Sequence, residues 1–272
     1  MKNDFIKKIS AIDLEEFISV LKDIGAEFDS EKFKAIVSGT MKYVSGDRSV
    51  RESLRHIQEL ENRWYKSLDS GYPDFSVYND IYYLADTWVC WKKYSRTYIR
   101  NLISKNGSGA GSVKDLIGNI SSVADLGNGI GYSTATLKEI FDVKTYGTNL
   151  KGTIQWDICE RISAISGFKL VESLEEIGSC DLVFASEYFE HFERPVEHLK
   201  DVIETLAPRH IIFANTFNSP SIGHFKSYLD GDKSYTGKAI SRLFSSTLRG
   251  YGFTKVETNF FNNRPNYYRR EE

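Results

Sequence analysis

From residue 120 onward the chain alternates short apolar runs with helical stretches, and this alternation restricts the fold more than any other feature. The runs at 120–126, 143–149, 180–185 and 210–216 read as buried strands. Helical spacing separates them at 133–142, 152–166 and 195–206. Strands that alternate with helices predict a parallel sheet covered on both faces. A further helix near 237–250 is followed by strand-like pieces at 253–260 and 266–270. Asn262-Asn263-Arg264-Pro265 is placed to turn between them, so the chain is expected to end in an antiparallel hairpin.

The first third differs in kind. Leu14, Phe17, Ile18, Leu21 and Ile24 step by threes and fours after the start signals Ser10 and Asp13. Phe33, Ile36, Val37, Met41 and Val44 repeat the pattern after Ser30, the expected N-cap, and Val50, Leu54, Ile57, Leu60 and Trp64 form a third stripe. Val77 to Leu102 reads as one long aromatic helix. The segment NGSGAGS at 106–112 has no large apolar residue and no charge, so it reads as a connector. The expected organisation is a helical module over 1–105, a linker over 106–112 and an α/β domain over 113–272.

Composition removes several classes of function. Lys and Arg number 35 against 37 Asp and Glu, which argues against a purely electrostatic nucleic-acid coat. The three cysteines, Cys90, Cys159 and Cys180, are far apart and form neither a CxxC motif nor a disulfide framework. The N-terminus lacks the apolar core of a signal peptide, and no uncharged stretch is long and apolar enough to span a bilayer. A cytoplasmic protein with no membrane partner is expected, and its oligomeric state is left open.

The chemistry is concentrated in Asp125-Leu126-Gly127-Asn128-Gly129-Ile130-Gly131, where a strand ends in an acid and a glycine-rich turn opens a helix. Glycines there allow backbone N–H groups to approach a ligand where a Cβ would clash. The spacing is GxGxG and not GxGxxG, and the acid would repel a pyrophosphate, so a dinucleotide is disfavoured. Together with the motifs downstream, residues 120–260 resemble the class I S-adenosylmethionine-dependent methyltransferases. The resemblance implies an α/β, Rossmann-like, mostly parallel seven-stranded sheet with a C-terminal antiparallel hairpin, and S-adenosylmethionine as cofactor. It assigns cofactor binding to Asp125, Gly127, Asn128, Gly129 and Gly131, to Glu172 near the adenine edge, and to Ser186 beside the methyl group. In the family the second strand normally ends in an acid that holds the ribose diol; here Asn149 stands in that place, a hydrogen-bonding group without the charge.

The acceptor is less constrained. The tip of the next strand, Ser186-Glu187-Tyr188-Phe189, lacks both the Asn/Asp-Pro-Pro-aromatic element and the Pro-Cys nucleophile of base-modifying enzymes. Glu187 and His191 are the expected catalytic pair, as general base or for orienting the substrate. Glu187-x-x-Glu190-His191 with His224 is also similar to the two-Glu, two-His metal site of small-RNA 3′-terminal 2′-O-methyltransferases. The same stretch is common in small-molecule members without a metal, and no metal is expected. His56, His198 and His210 read as ordinary surface or helix histidines. His224 and, by resemblance to family lids, Tyr94, Arg96 and Tyr98 are candidate substrate-binding residues. The expected function is methyl transfer to an O or N of a polar small molecule, nucleotide or sugar. Two alternatives stand beside it: a nucleic-acid methyltransferase that uses the basic aromatic helix 88–105, and an inactive methyltransferase-like scaffold subunit.

Overall fold

The computed structural model describes residues 13–93, 99, 102, 111–258 and 265–271. In the N-terminal module, α1 (Leu14–Asp23) starts in a capping box between Asp13 and Glu16. Helix α2 (Ser30–Val44) is capped by Asp29, one residue before the expected Ser30, because its carboxylate accepts from the Glu31 and Lys32 amides. The third stripe forms a 3₁₀ segment (Ser49–Leu54) followed by α3 (Arg55–Asp69). The expected long helix is broken at its start: a 3₁₀ turn (Phe75–Asn79) precedes α4 (Ile81–Lys93). Asp80 makes the break, since its Oδ1 accepts from the amides of Tyr82 and Tyr83 as an N-cap does.

After α5 (Val113–Ile117) come β1 (Ser122–Leu126), α6 (Tyr132–Phe141), β2 (Lys144–Thr148), α7 (Ile154–Ser166), β3 (Lys169–Val171) and β4 (Leu182–Ser186). They are followed by α8 (Pro195–Leu206), β5 (His210–Ala214), a ribbon of β6 (Tyr228–Asp230) and β7 (Lys233–Tyr235), α9 (Gly237–Gly250), β8 (Phe253–Val256) and β9 (Asn266–Arg270). The seven-stranded sheet runs β3-β2-β1-β4-β5-β9-β8. Its first five strands are parallel, and β9 inserts antiparallel between β5 and β8. The expected sheet and its antiparallel end are therefore present, with the turn at 262–264 outside the described residues. Strand β3 and the β6–β7 ribbon have no counterpart among the expected elements.

Both faces of the sheet are buried, as parallel strands require. Val183 and Ala185 of β4 join Leu199, Ile203, Phe244 and Leu248 on the α8–α9 side. Leu182 and Phe184 alternate to the other face, against Leu137, Ile140, Ile99 and Leu102. The helical module shares a core with this domain: Phe17, Phe33, Leu84 and Trp88 pack with Ile130, Tyr132, Ile158 and Phe168. Trp88 stacks on Phe17 at 5.6 Å and donates from Nε1 to the Tyr132 hydroxyl at 3.3 Å. The order of strands changes direction between β1 and β4, so the crevice beyond their carboxyl ends is where such a sheet receives ligands.

Candidate active site at the carboxyl ends of the parallel strands

The glycine turn leaves β1 and is tied to β2. The Gly127 amide donates to Thr148 Oγ1 at 3.1 Å and the Asn128 amide to the Thr148 carbonyl at 3.0 Å. Asp125 is 2 % exposed and accepts from Ser133 Oγ (2.6 Å) and Thr134 Oγ1 (2.7 Å), which binds the strand tip to the first turn of α6. Burial pushes its carboxyl up to about 7 despite those two hydroxyls. Asn149, at the end of β2, donates from Nδ2 to the Gly129 carbonyl and accepts from the Leu150 amide. The Asn128 side chain turns inward, donating to Thr134 Oγ1 and Cys159 Sγ. Glu172 follows β3 and pairs with Lys151.

Two aromatic rings close on this turn. A Cβ on Gly127 would lie 2.3 Å from Tyr188 Cδ2, and one on Gly129 would lie 2.7 Å from Trp91 Cε2. Real Cβ atoms do not approach that closely, so these glycines admit the protein's own rings as well as any ligand. Tyr188 is held from behind by His198, whose Nε2 lies 2.9 Å from the phenol oxygen, and the His198 ring stacks on Phe192 at 4.0 Å. His198 is on α8 as expected, but half-buried at the site; His210 is buried in β5, with Nδ1 2.9 Å from the Tyr267 hydroxyl. His210 is thus neither a surface nor a helix residue. Its place agrees instead with the reading of 210–216 as a buried strand, of which it is the first residue.

Beyond β4 the chain makes a sharp turn at Glu187, whose φ is +49°. That region costs a non-glycine residue about 1 kcal/mol or more. The Glu187 amide donates to the Ala214 carbonyl at 2.7 Å, which locks the turn to the end of β5. The Thr216 hydroxyl sits between Glu187 and Glu190 and donates to the Glu187 carboxylate. Glu190 is fully buried and accepts from the Thr216 amide at 2.7 Å. Burial and the neighbouring Glu187 carboxylate hold it well above the usual carboxylate range.

His191 and His224 meet edge to face, with ring centroids 4.9 Å apart. Tyr78 Oη lies 2.8 Å from His191 Nδ1, and burial pushes the His191 imidazole down to about 3. Both groups press on Gly223, where φ is +84° and an added Cβ would meet Tyr78 Oη at 1.8 Å. His224 Nδ1 lies 2.8 Å from the Ser219 carbonyl; since a carbonyl only accepts, Nδ1 carries the proton in the neutral ring. The helical module positions this loop. Trp64 Nε1 donates to the His224 carbonyl at 2.7 Å, and the Ser221 amide donates to Tyr65 Oη at 3.0 Å. Ligand atoms of Glu187, Glu190 and His224 lie within 4.8 Å of one another, close enough to converge on one cation.

A cavity of about 1390 Å³ joins these parts. Asp125, Gly127, Asn128, Gly129, Asn149, Glu172, Ser186, Glu187, His191 and His224 all line it, so most of the expected site residues are brought to one place. Gly131 is not among them and instead packs against Cys159 and Phe168. Tyr94, Arg96 and Tyr98 lie outside the described residues. Tyr188, Trp91, Tyr78 and Thr216 line the cavity without having been singled out as site residues. Trp91 and Tyr78 carried a sequence signal as part of the aromatic helix, and Tyr188 as part of the β4 tip; what they face was set by contacts between distant segments.

The strand order, the antiparallel last pair and the glycine turn at the tip of the first strand make this the class I methyltransferase fold. No protein-family model matches the chain, and no curated protein matches it. Among solved structures it is similar to an O-methyltransferase family protein from Burkholderia thailandensis, at 13 % identity and a TM-score of 0.47, over 80 % of this chain and 71 % of that one. TnmH gives 12 % identity and a TM-score of 0.46, over 80 % and 70 %. The methyltransferase domain of bacterial CtHen1-C gives 18 % identity and a TM-score of 0.40, over 57 % and 91 %. At such identities the likeness is one of fold.

Proposed function

We propose that the protein is an S-adenosylmethionine-dependent methyltransferase that acts in the cytoplasm on an O or N of a polar small molecule. The observation that carries this reading is the single cavity shared by the Gly127–Gly129 turn and by Glu187 and His191 at the tip of β4. Bound cofactor would supply a sulfonium methyl group. The Asp125 end of the turn and Asn149 would receive its amino-acid and ribose parts, with Glu172 and Ser186 beside it. Methyl transfer is an in-line displacement, so the protein's main task is to hold the nucleophile at attack distance and take its proton.

Glu187 is the proton acceptor in this reading. His191 is a poor base, because burial favours its neutral form so strongly; held by Tyr78, it orients the acceptor. Titration calorimetry with S-adenosylhomocysteine tests the proposal, with Asp125→Asn as control. Micromolar binding weakened in the variant is expected, and absence of binding to the folded protein would favour the scaffold reading.

One observation favours a second reading, in which Glu187, Glu190 and His224 hold a divalent cation that orients the acceptor oxygen. His224 presents Nε2 while its other nitrogen is fixed on a backbone carbonyl, as metal-ligating histidines commonly are. Calorimetry with manganese, repeated on His224→Ala, separates the two readings.

A further inference from the structure

The cavity extends well past the glycine turn into the helical module. Tyr83, Asp86, Thr87, Cys90 and Trp91 line it from α4, at spacings of three, four, seven and eight that place them on one face of the helix. The opposite face, with Leu84, Ala85, Trp88 and Val89, is buried in the core. Among the described residues the cavity's charged lining is of one sign. Asp86 from the module faces the same space as Glu187, Glu193 and Asp201, and among the described residues no lysine or arginine lines it. Lys151, which follows the lining residues Asn149 and Leu150, is paired with Glu172.

Asp86 is the informative member. Its Oδ1 accepts from Thr40 Oγ1 at 2.7 Å, and among the described residues it forms no ion pair. Desolvation raises its pKa, as expected for a carboxylate withdrawn from water without a cation beside it. Tyr83 is one turn away, and Tyr78 meets Tyr83 edge to face at 5.9 Å and stacks with Phe75. A half-buried carboxylate beside π faces binds an organic cation, through charge and through the ring quadrupoles. The same lining repels phosphate.

We propose that the acceptor is an organic cation, a small molecule whose ammonium or guanidinium group is anchored at Asp86 against Tyr83 while its nucleophilic O or N reaches Glu187. This rests on the methyltransferase reading. In the step so defined, the nucleophile's lone pair forms the new bond to the methyl carbon as the carbon–sulfur bond breaks and its electron pair passes to sulfur. The nucleophile's proton goes to the Glu187 carboxylate.

The test uses the full chain saturated with S-adenosylhomocysteine, titrated calorimetrically with benzyltrimethylammonium and, separately, with phenyl phosphate. The cation is expected to bind, phenyl phosphate to give no heat, and Asp86→Asn to weaken the cation about tenfold or more. Thr40→Val keeps the charge and is expected to retain cation binding. Phenyl phosphate binding as tightly as the cation, no binding of the cation, or an Asp86→Asn variant that binds it unchanged would each overturn the proposal. Should Asp86→Asn fail to fold, the choice between cation and phosphate by the unaltered protein decides alone. The titration with S-adenosylhomocysteine reports separately on the methyltransferase reading.

Discussion

The Asn149 side-chain amide donates to the Gly129 carbonyl and so ties the end of β2 to the glycine turn of β1. A carboxylate at 149 has no hydrogen to donate there and would face the carbonyl oxygen instead. Asn149, which stands where the methyltransferase resemblance places a ribose-binding acid, thus makes a bond that a carboxylate cannot.

Asn149→Asp is therefore expected to destabilise the protein by about 1 kcal/mol through the lost bond and the new repulsion. It is expected to leave affinity for S-adenosylhomocysteine no better than that of the unaltered chain. Thermal melting and calorimetry on the same samples check both halves. A tighter-binding Asp variant would show that the ribose contact dominates.

Gly127→Ala is expected to cost about 2–3 kcal/mol, from the Cβ contact with Tyr188 and a positive φ of +65°. In the double variant Gly127→Ala/Tyr188→Ala only the steric part is relieved. Denaturant unfolding of the four members of the cycle should give a favourable coupling of about 1 kcal/mol or more.

Trp64→Phe removes the donor to the His224 carbonyl while keeping most of the buried ring. The loop carrying His224 then loses its anchor on the module. Transfer activity is expected to fall about tenfold, a loss of about 1.4 kcal/mol of transition-state stabilisation, with S-adenosylhomocysteine affinity unchanged. Equal losses in both would indicate general unfolding.

Glu187→Gln is expected to lower the transfer rate by about a hundredfold or more, the usual contribution of a positioned base. Cofactor affinity should stay within about twofold of the unaltered protein. Labelled-methyl transfer and calorimetry check the pair, and a Gln variant with full activity would remove Glu187 from the role.

Burial pushes His198 and His210 down to about 4. Since both are neutral when folded and bind protons more readily once unfolded, their stabilisation is complete above about pH 6.5 and is lost as pH falls toward 4. Asp125, raised to about 7, acts in the opposite sense, losing its contribution as pH rises through 7. The difference between the unaltered protein and His198→Phe isolates one histidine. The melting temperature of the variant is expected to fall less between pH 7 and pH 5 than that of the unaltered chain.

Local pattern determined much of this protein. The alternation after residue 120 placed β1, β2, β4, β5 and the closing antiparallel pair, because a strand buried on both faces must be a short apolar run wherever it sits. The turn from Asp125 to Gly131 was legible because a strand–turn–helix needs those residue types at that spacing. Strand β3 was hidden, since three residues carry too little periodicity to be read, and Asp80 was missed because an N-cap inside an apolar stretch looks like any polar residue. Only the tertiary structure decided what faces the glycines. Tyr188 and Trp91 reach the turn from segments about 60 and 40 residues away in sequence, a distance over which no local pattern acts. The same holds for Trp64 on His224 and for Asp86, whose meaning depends on which face of α4 the core leaves turned to the cavity.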